Sequence, residues 1–298
     1  MIRILTDTSA NLPKKIAADL GIEVIPMFYY DNDVEMSCMD IEAFDDIAYY
    51  TQIKRGKRIS TSQVTPQRYY DFMKPFLEKG EDVIYVGMSS GISGSFSSSE
   101  KAVEMLRSEF PERFVAALDT RGASLGEGIV AIRAAEEAAE MSLFEGKYED
   151  PAALYRKCEE LRDRMYQVFT VDDLLHLRRT GRLSNATAIV GTILNIKPLL
   201  KGNELGKIVT FKSTRGRKKA IEEMAARYDA FVENPEEQTV GIAHAMCEKD
   251  AELLKEMIMK NHPPKEILTV KYEPVTGSHV GPGALALFFM GDRDVRTK

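Results

Sequence analysis

Short β-rich runs alternate with segments of helical periodicity along the first half of the chain, and this alternation restricts the possible folds more than any other feature. The β-rich runs read IRILTD, IEVIPMFYY, DVIYVGM and RFVAALD. Helical segments lie between them, with apolar stripes such as Val103, Leu106 and Phe110. Strands joined by helices form crossover units, so we predict an α/β fold with a mostly parallel, Rossmann-like sheet.

The second half carries another α/β series. Its β-rich runs include QVFTV, IKPLL, GKIVTF, QTVGIAH, ILTVKY and ALALFFM, and an apolar helix is predicted at ATAIVGTIL. A polar stretch, FEGKYEDP, separates the two series, and 298 residues are enough for two average domains. We therefore predict two α/β domains, residues 1–160 and residues 161–298.

Composition excludes several classes of protein. The net charge of −6 disfavours a general affinity for nucleic acid or for an anionic membrane. The chain has no apolar run of transmembrane length, and its N-terminal residues lack the features of a signal peptide, so we expect a cytoplasmic protein without stable membrane insertion. The cysteines Cys38, Cys158 and Cys247 fit neither a disulfide framework nor a metal site, and we predict no bound metal.

A serine-rich loop is the most unusual local feature. Residues 89–99 read SSGISGSFSSS, with seven serines and two glycines but no charged side chain. A nucleotide phosphate loop is disfavoured because no lysine follows Gly91 or Gly94 at the required spacing. Hydroxyls and backbone N–H groups at a helix N-terminus can instead hold a carboxylate.

Two enzyme-like motifs offer alternatives. Residues 87–91 read G-M-S-S-G, the pattern of a hydrolase nucleophile elbow, so a serine esterase or thioesterase using Ser89 and His279 remains open. Residues 126–131 match the dinucleotide pattern G-x-G-x-x-A, but the acidic residue expected about twenty positions later falls in a polar stretch. We interpret Gly126 and Gly128 as a tight turn and a close approach of the following helix.

Several separated stretches together resemble one family. They are TDTSANLP, STSQVTP, SSGISGSFSS, LDTRGASLGEG, LRRTGRLSNATAIVGTILNIKPLL and GSHVGPGALALFF, in this order between Thr6 and Phe289. On these motifs the chain is identified as a member of the DegV family of bacterial fatty-acid-binding proteins. The resemblance implies two α/β domains with a long-chain fatty acid held at their junction. It also implies that the acid is not consumed by this chain but presented to a separate fatty-acid kinase, which forms an acyl phosphate.

The resemblance also implies the binding residues. Thr61 and Ser93 would hydrogen-bond the carboxylate, His279 would support them, and Gly94 and Ser95 would contribute through the backbone. No cofactor is expected besides the bound acid. Val64 departs from the family pattern, which often has proline at this position.

Basic segments suggest a use beyond the acid. Three clusters, at residues 54–58, 178–182 and 214–219, could form one anion-facing surface. Arg178, Arg179 and Arg182 are candidates for contact with an acidic surface of the kinase or with its phosphate-bearing product. A nucleic-acid-binding protein acting through these clusters is a further alternative. The residues after Met290 carry no motif, and we expect them to lie on the surface.

Overall fold

The computed structural model describes residues 1–143, 150–184 and 195–298. Its strands are β1 Ile2–Asp7, β2 Glu23–Ile25, β3 Phe28–Asp31, β4 Val34–Met36, β5 Ser60–Ser62, β6 Asp82–Gly87, β7 Val115–Asp119, β8 Met165–Thr170, β9 Ile196–Gly202, β10 Ile208–Arg215, β11 Thr239–His244, β12 Glu266–Lys271 and β13 Leu285–Met290. Its α-helices are α1 Lys14–Asp19, α2 Asp46–Lys54, α3 Pro66–Glu78, α4 Ser95–Glu109, α5 Leu125–Leu143, α6 Pro151–Arg164, α7 Leu174–Arg179, α8 Arg217–Phe231, α9 Glu248–Asn261 and α10 Pro274–Val280. Across these described ranges, none of the helices is both long and apolar enough to cross a bilayer.

The first half forms a four-stranded parallel sheet in the order β2-β1-β6-β7. The chain passes from β1 to β2 on one side and later returns to β6 on the other, so the strand order reverses next to β1. Crevices at the carboxyl ends of such strands are the usual ligand sites of α/β sheets. The predicted α/β class and parallel first sheet are confirmed.

The second half forms a six-stranded mixed sheet in the order β10-β9-β8-β13-β11-β12. Among its described strands, β11 and β12 are the pair that runs in parallel, whereas β13 runs antiparallel to both of its neighbours. The side chains of β13 alternate between two buried clusters: Ala286 and Phe288 face the first half, while Leu285 and Leu287 face α8 and α9. One face of this sheet therefore closes the junction between the halves, as period-2 side-chain alternation requires.

A small antiparallel sheet, β4-β3-β5, was not predicted from the sequence. The run IEVIPMFYY, read as one strand, is divided into β2 and β3, and the STS stretch becomes β5. Tyr29 of β3 pairs with Thr61 of β5, which carries the T-S-Q motif to the edge of the junction.

The division into two domains at residue 160 stays a prediction. The proposed boundary falls within α6, and the preceding stretch FEGKYEDP lies mostly outside the described residues. All strands of the parallel sheet precede it, and all strands of the six-stranded sheet follow it.

The residues after Met290 were expected on the surface, and this expectation holds for only some of them, such as Arg293, Asp294, Thr297 and Lys298. Val295 and Arg296 are buried. The Arg296 guanidinium donates to the carbonyls of Thr120 at 3.0 Å, Arg121 at 2.9 Å and Arg162 at 3.0 Å, and burial lowers its pKa to about 10. A buried cation is tolerated here because backbone acceptors surround it, an arrangement that local sequence does not encode.

Candidate functional site at the junction of the two halves

A cavity of about 210 Å³ lies at the carboxyl ends of β6 and β7, with the six-stranded sheet on its far side. Both halves of the chain contribute to its walls, which agrees with a ligand site at the junction. Its apolar lining consists of Met27, Met88, Ile92, Val168, Phe169, Leu177, Ile208, Val275, Val280, Ala286 and Phe288. A cavity with such walls favours a hydrocarbon over a polar ligand, because water gains few hydrogen bonds there.

The serine-rich loop forms one end of this cavity. It leaves β6 at Met88, folds back so that the Ser93 N–H donates to the Ser89 carbonyl at 3.1 Å, and enters α4 at Ser95. A Cβ atom on Gly91 would lie 2.7 Å from backbone atoms of residues 205–206, so glycine is required for this close approach. The N-terminus of the fifteen-residue helix α4 therefore points to the cavity with its partial positive charge.

The Ser93 hydroxyl lines the cavity and is available as a donor. Its oxygen accepts a hydrogen bond from the Ser95 N–H at 3.2 Å. Within the part of the chain that the structure describes, nothing accepts the Ser93 hydroxyl hydrogen. A carboxylate in the cavity can therefore receive it.

Thr61 and His279 form the second polar group of the cavity. Thr61 Oγ1 lies 2.9 Å from His279 Nε2, and among the described residues His279 Nδ1 is buried without a hydrogen-bond partner. If Nδ1 carried the hydrogen, a buried N–H group would lack an acceptor, which costs more free energy than an unprotonated ring nitrogen that lacks a donor. We therefore assign the hydrogen to Nε2. Thr61 then accepts from His279, and its own hydroxyl hydrogen is free to reach a ligand.

The position of His279 is fixed by contacts on both sides of α10. Tyr49 and Tyr50 of α2 donate to the carbonyls of Pro274 and Tyr272, each at 2.8 Å. On the other side, His176 Nε2 donates to the Ser278 carbonyl at 2.7 Å. The imidazole is therefore held by the two halves of the chain together.

The pKa of His279 falls to about 3, because burial disfavours the charged ring and Arg182 and His176 add positive potential. An unfolded histidine takes up a proton near pH 6.5, whereas the folded one stays neutral down to about pH 3. Lowering the pH through this window therefore destabilises the fold.

We expect His279→Gln to remove this pH dependence. The wild type should lose about 2 kcal/mol of unfolding free energy, relative to the variant, between pH 7.5 and pH 5. Urea unfolding at both pH values measures the difference. His262→Gln, at an exposed position after α9, is the matched control. A constant difference between wild type and His279→Gln at the two pH values would contradict the assignment.

The site also contains cations that were not expected there. Arg121 and Arg182 both line the cavity, although Arg182 was predicted only as a partner-binding residue. Burial lowers the pKa of Arg182, and its guanidinium donates to the Thr180 carbonyl. Arg121 follows β7 in the family-like stretch LDTRGASLGEG, but its role was missed because no charge pattern singles it out.

An outer pocket of about 690 Å³ adjoins the cavity. Thr61, Arg182 and His279 line both spaces, so they form the wall between the cavity and this pocket. The outer pocket is strongly basic, with Lys57, Arg58, His176 and Arg179 in its remaining wall. We call it the basic pocket.

Two of the three basic sequence clusters meet at the basic pocket. Lys57 and Arg58 come from the first cluster, and Arg179 and Arg182 come from the second. The third cluster is not part of its lining, and Arg217 from that cluster instead pairs with Asp250 at 2.8 Å. Arg178 is exposed beside the pocket, and Arg179 pairs with Asp173 at 3.4 Å.

The hydrolase alternative lacks its central contact. The buried Ser89 hydroxyl donates to the Gly206 carbonyl at 2.8 Å, while His279 Nε2 faces Thr61. Among the described residues, no histidine lies within hydrogen-bond distance of Ser89. A serine nucleophile requires an adjacent base, which this arrangement does not supply.

Two further sequence predictions concern Gly128 and the apolar stretch ATAIVGTIL. A Cβ atom on Gly128 would clash with the Ala10 carbonyl, which supports close helix packing rather than a dinucleotide fingerprint. The apolar stretch ATAIVGTIL, predicted to be a helix, lies outside the described residues. Within the described ranges, no group of three or more histidine, cysteine and acidic side chains is arranged to hold a metal.

The DegV family model, described as an uncharacterised protein family, matches residues 1–292. This chain belongs to the DegV family. A DegV domain-containing protein of Clostridium perfringens is 37% identical over 290 residues, which cover 97% of each chain. A solved DegV family protein from Thermus thermophilus, whose description reports fatty acid binding, superposes with a TM-score of 0.85 at 28% identity and covers 97% of this chain and 99% of its own.

Another solved relative is DegV of Bacillus subtilis, described as a fatty acid binding protein. It has a TM-score of 0.82 at 29% identity, with 98% of this chain and 99% of the relative covered. The family model and these relatives confirm the resemblance drawn from the motifs.

Proposed function

We propose that this protein is a non-enzymatic, cytoplasmic carrier that binds one long-chain fatty acid. The hydroxyls of Thr61 and Ser93 hold the carboxylate, with the backbone N–H of Gly94 beside them and His279 behind Thr61. The Ser95 N–H, expected to reach the acid, instead donates to the Ser93 hydroxyl at 3.2 Å and orients it. The acyl tail occupies the apolar cavity. One observation carries this proposal: two hydroxyls, whose hydrogens have no acceptor among the described residues, line the same cavity as a set of apolar side chains.

The acyl tail and the carboxylate head group contribute to the binding free energy in different ways. A tail of about fourteen methylenes contributes on the order of 11 kcal/mol on burial, at roughly 0.8 kcal/mol each, before ordering costs. The head group needs only enough donors to offset its desolvation. Helix α4 and the neighbouring Arg182 add favourable potential for an anion. The fatty acid binding described for the Thermus thermophilus and Bacillus subtilis relatives supports the same ligand class.

We further propose that the bound acid is presented to a separate fatty-acid kinase. Thr61 and His279 border both the cavity and the basic pocket, so a carboxylate beside them lies next to the protein surface. One carboxylate oxygen would attack the terminal phosphorus of the kinase's nucleoside triphosphate, and the bond to the bridging oxygen would break. Arg178, Arg179 and Arg182 would contact an acidic kinase surface or the new phosphate.

Native mass spectrometry tests both the binding of a fatty acid and its presentation to a kinase in one experiment. The purified protein should carry a bound mass of a few hundred daltons that is released on denaturation and identified as a fatty acid. Adding a fatty-acid kinase with nucleoside triphosphate should convert that acid to its acyl phosphate. Protein without any bound lipid that also fails to take up added palmitic acid would refute the carrier function. Loaded protein that no fatty-acid kinase phosphorylates would refute only the presentation step.

A further inference from the structure

Two carboxyl groups are buried beneath the serine-rich loop, outside the cavity. Asp7 ends β1, and Glu127 lies in the first turn of α5; the side chains of both are fully buried. Ser9 connects them, because its hydroxyl lies 2.9 Å from Glu127 Oε2 and also contacts Asp7 Oδ1. Two negative charges in this position would repel each other strongly, so their proton count matters.

The hydrogen-bond geometry assigns one proton to Glu127. Thr6 Oγ1 lies 2.8 Å from the Val86 carbonyl and 3.0 Å from Glu127 Oε1. A carbonyl can only accept, so the single hydroxyl hydrogen of Thr6 goes to Val86. Glu127 Oε1 must then be the donor to Thr6. Burial and the Asp7 charge raise the pKa of Glu127 in agreement with this assignment. Burial also raises the pKa of Asp7, but hydrogen bonds from Ser9 and Tyr85 oppose that rise. Asp7 accepts from the Ser9 N–H at 2.8 Å and from Tyr85 Oη at 2.5 Å, so we place the negative charge on Asp7.

Asp7 is the end of a chain of hydroxyl groups that leads to the binding loop. Tyr85 Oη donates to Asp7 Oδ2 at 2.5 Å, and Tyr69 Oη lies 2.8 Å from Tyr85 Oη. Because Tyr85 spends its hydrogen on Asp7, Tyr69 must donate to Tyr85. The Ser95 side chain lies beside Tyr69 and lowers its pKa, against the larger effects of burial and the Asp7 charge, which raise it.

Ser95 joins this chain to both polar segments of the site. Its hydroxyl oxygen accepts from the Val64 N–H at 3.3 Å, next to the T-S-Q stretch. Its N–H donates to the Ser93 hydroxyl at 3.2 Å. A proline at position 64 would lack the N–H, so the departure from the common family pattern adds a contact here.

We propose that Asp7 is a positioning residue for the carboxylate-binding loop, acting through Tyr85, Tyr69 and Ser95. The buried charge orients every hydroxyl hydrogen of the chain toward itself. Ser95 is consequently fixed so that its N–H faces Ser93, and the hydrogen of Ser93 is directed to the ligand. This inference rests on the proposed function, since it assumes that Ser93 binds a carboxylate.

Tyr69→Phe tests the proposal, because it removes the middle hydroxyl and keeps the ring. The readout is the ratio of affinities for palmitic acid and 1-hexadecanol, which share a tail and differ in the head group. We expect the acid-to-alcohol ratio to fall roughly three- to tenfold while the affinity for the alcohol is unchanged. A purely structural defect would instead weaken both ligands equally.

Tyr228→Phe is the matched control, since Tyr228 is equally buried and donates to the His262 carbonyl in the second core. An unchanged ratio in Tyr69→Phe, or an equal fall in Tyr228→Phe, would overturn the proposal. Should Tyr69→Phe fail to fold, Ser95→Ala removes the hydroxyl beside Tyr69, together with its hydrogen bond from the Val64 N–H, and is judged by the same ratio.

The failure of this inference is distinguishable from the failure of the proposed function. If wild-type protein does not prefer the acid, or if Ser93→Ala leaves the preference intact, the proposed head-group site is wrong. If wild type and Ser93→Ala behave as proposed but Tyr69→Phe matches wild type, only the positioning role of Asp7 is wrong.

Discussion

Replacing Thr61 and Ser93 together by alanine is expected to lower the affinity for palmitic acid by about 100- to 10,000-fold. Each hydroxyl gives a hydrogen bond to a charged group, worth roughly 1.5–3 kcal/mol, and the double variant loses both. The cavity that accepts the tail is unchanged, so residual binding should persist and resemble that of a fatty alcohol. Isothermal titration with delipidated protein measures the loss.

The matched control for this experiment is Thr51→Ala combined with Ser90→Ala. Ser90 belongs to the same loop, but its hydroxyl donates to Asp119 at 2.5 Å, and Thr51 bonds weakly to Met246. Neither residue lines the cavity. Wild-type affinity in the control and in the Thr61 and Ser93 double variant alike would disprove the head-group assignment.

The α/β fold class and the loop that contains Ser93 could be predicted from local patterns, whereas the choice of Thr61, Ser93 and His279 as carboxylate-binding residues came from the family resemblance. The parallel sheet follows from alternating periodicities, and the position of Ser93 follows from a loop between a strand and a helix. The carboxyl end of β6 must lie near the N-terminus of α4 once these elements are correctly assigned. Local sequence therefore predicted the fold class and the place of the serine-rich loop, and the binding roles of its residues stay a prediction.

The remaining parts of the site depend on contacts between distant segments. The STS stretch has too few residues to show a strand pattern, and β5 exists because Tyr29 and its neighbours in β3 pair with it. Arg182 reaches the cavity through the packing of α7 against α10, and Arg296 is buried because Thr120, Arg121 and Arg162 offer it carbonyls. Such environments arise only after the chain has folded.

The residues that line the cavity could not be predicted from the sequence either. An apolar strand that lines a cavity has the same hydrophobic pattern as one whose side chains fill a core. On β13, Ala286 and Leu287 are both buried, yet only Ala286 contributes to the cavity lining. The small side chain of Ala286 leaves space that a larger residue would occupy. This difference predicts unequal effects of the same substitution at two adjacent positions.

Ala286→Phe should therefore exclude part of the acyl tail. Displacing about four methylenes at roughly 0.8 kcal/mol each would cost about 3 kcal/mol, or on the order of 200-fold in affinity for palmitic acid. Octanoic acid needs less space and should lose less. Titration with a series of saturated acids of increasing length measures the effect, and native mass spectrometry should show less co-purified long-chain lipid.

Leu287→Phe provides the control on the opposite face of β13, where the side chain packs in the second core. It adds bulk to the same strand, with a stability cost of about 1–3 kcal/mol from overpacking, but leaves the cavity open. The length dependence of binding should consequently match wild type. Equal losses for long and short acids in Ala286→Phe, or the same length dependence in both variants, would mean that the tail does not occupy this cavity.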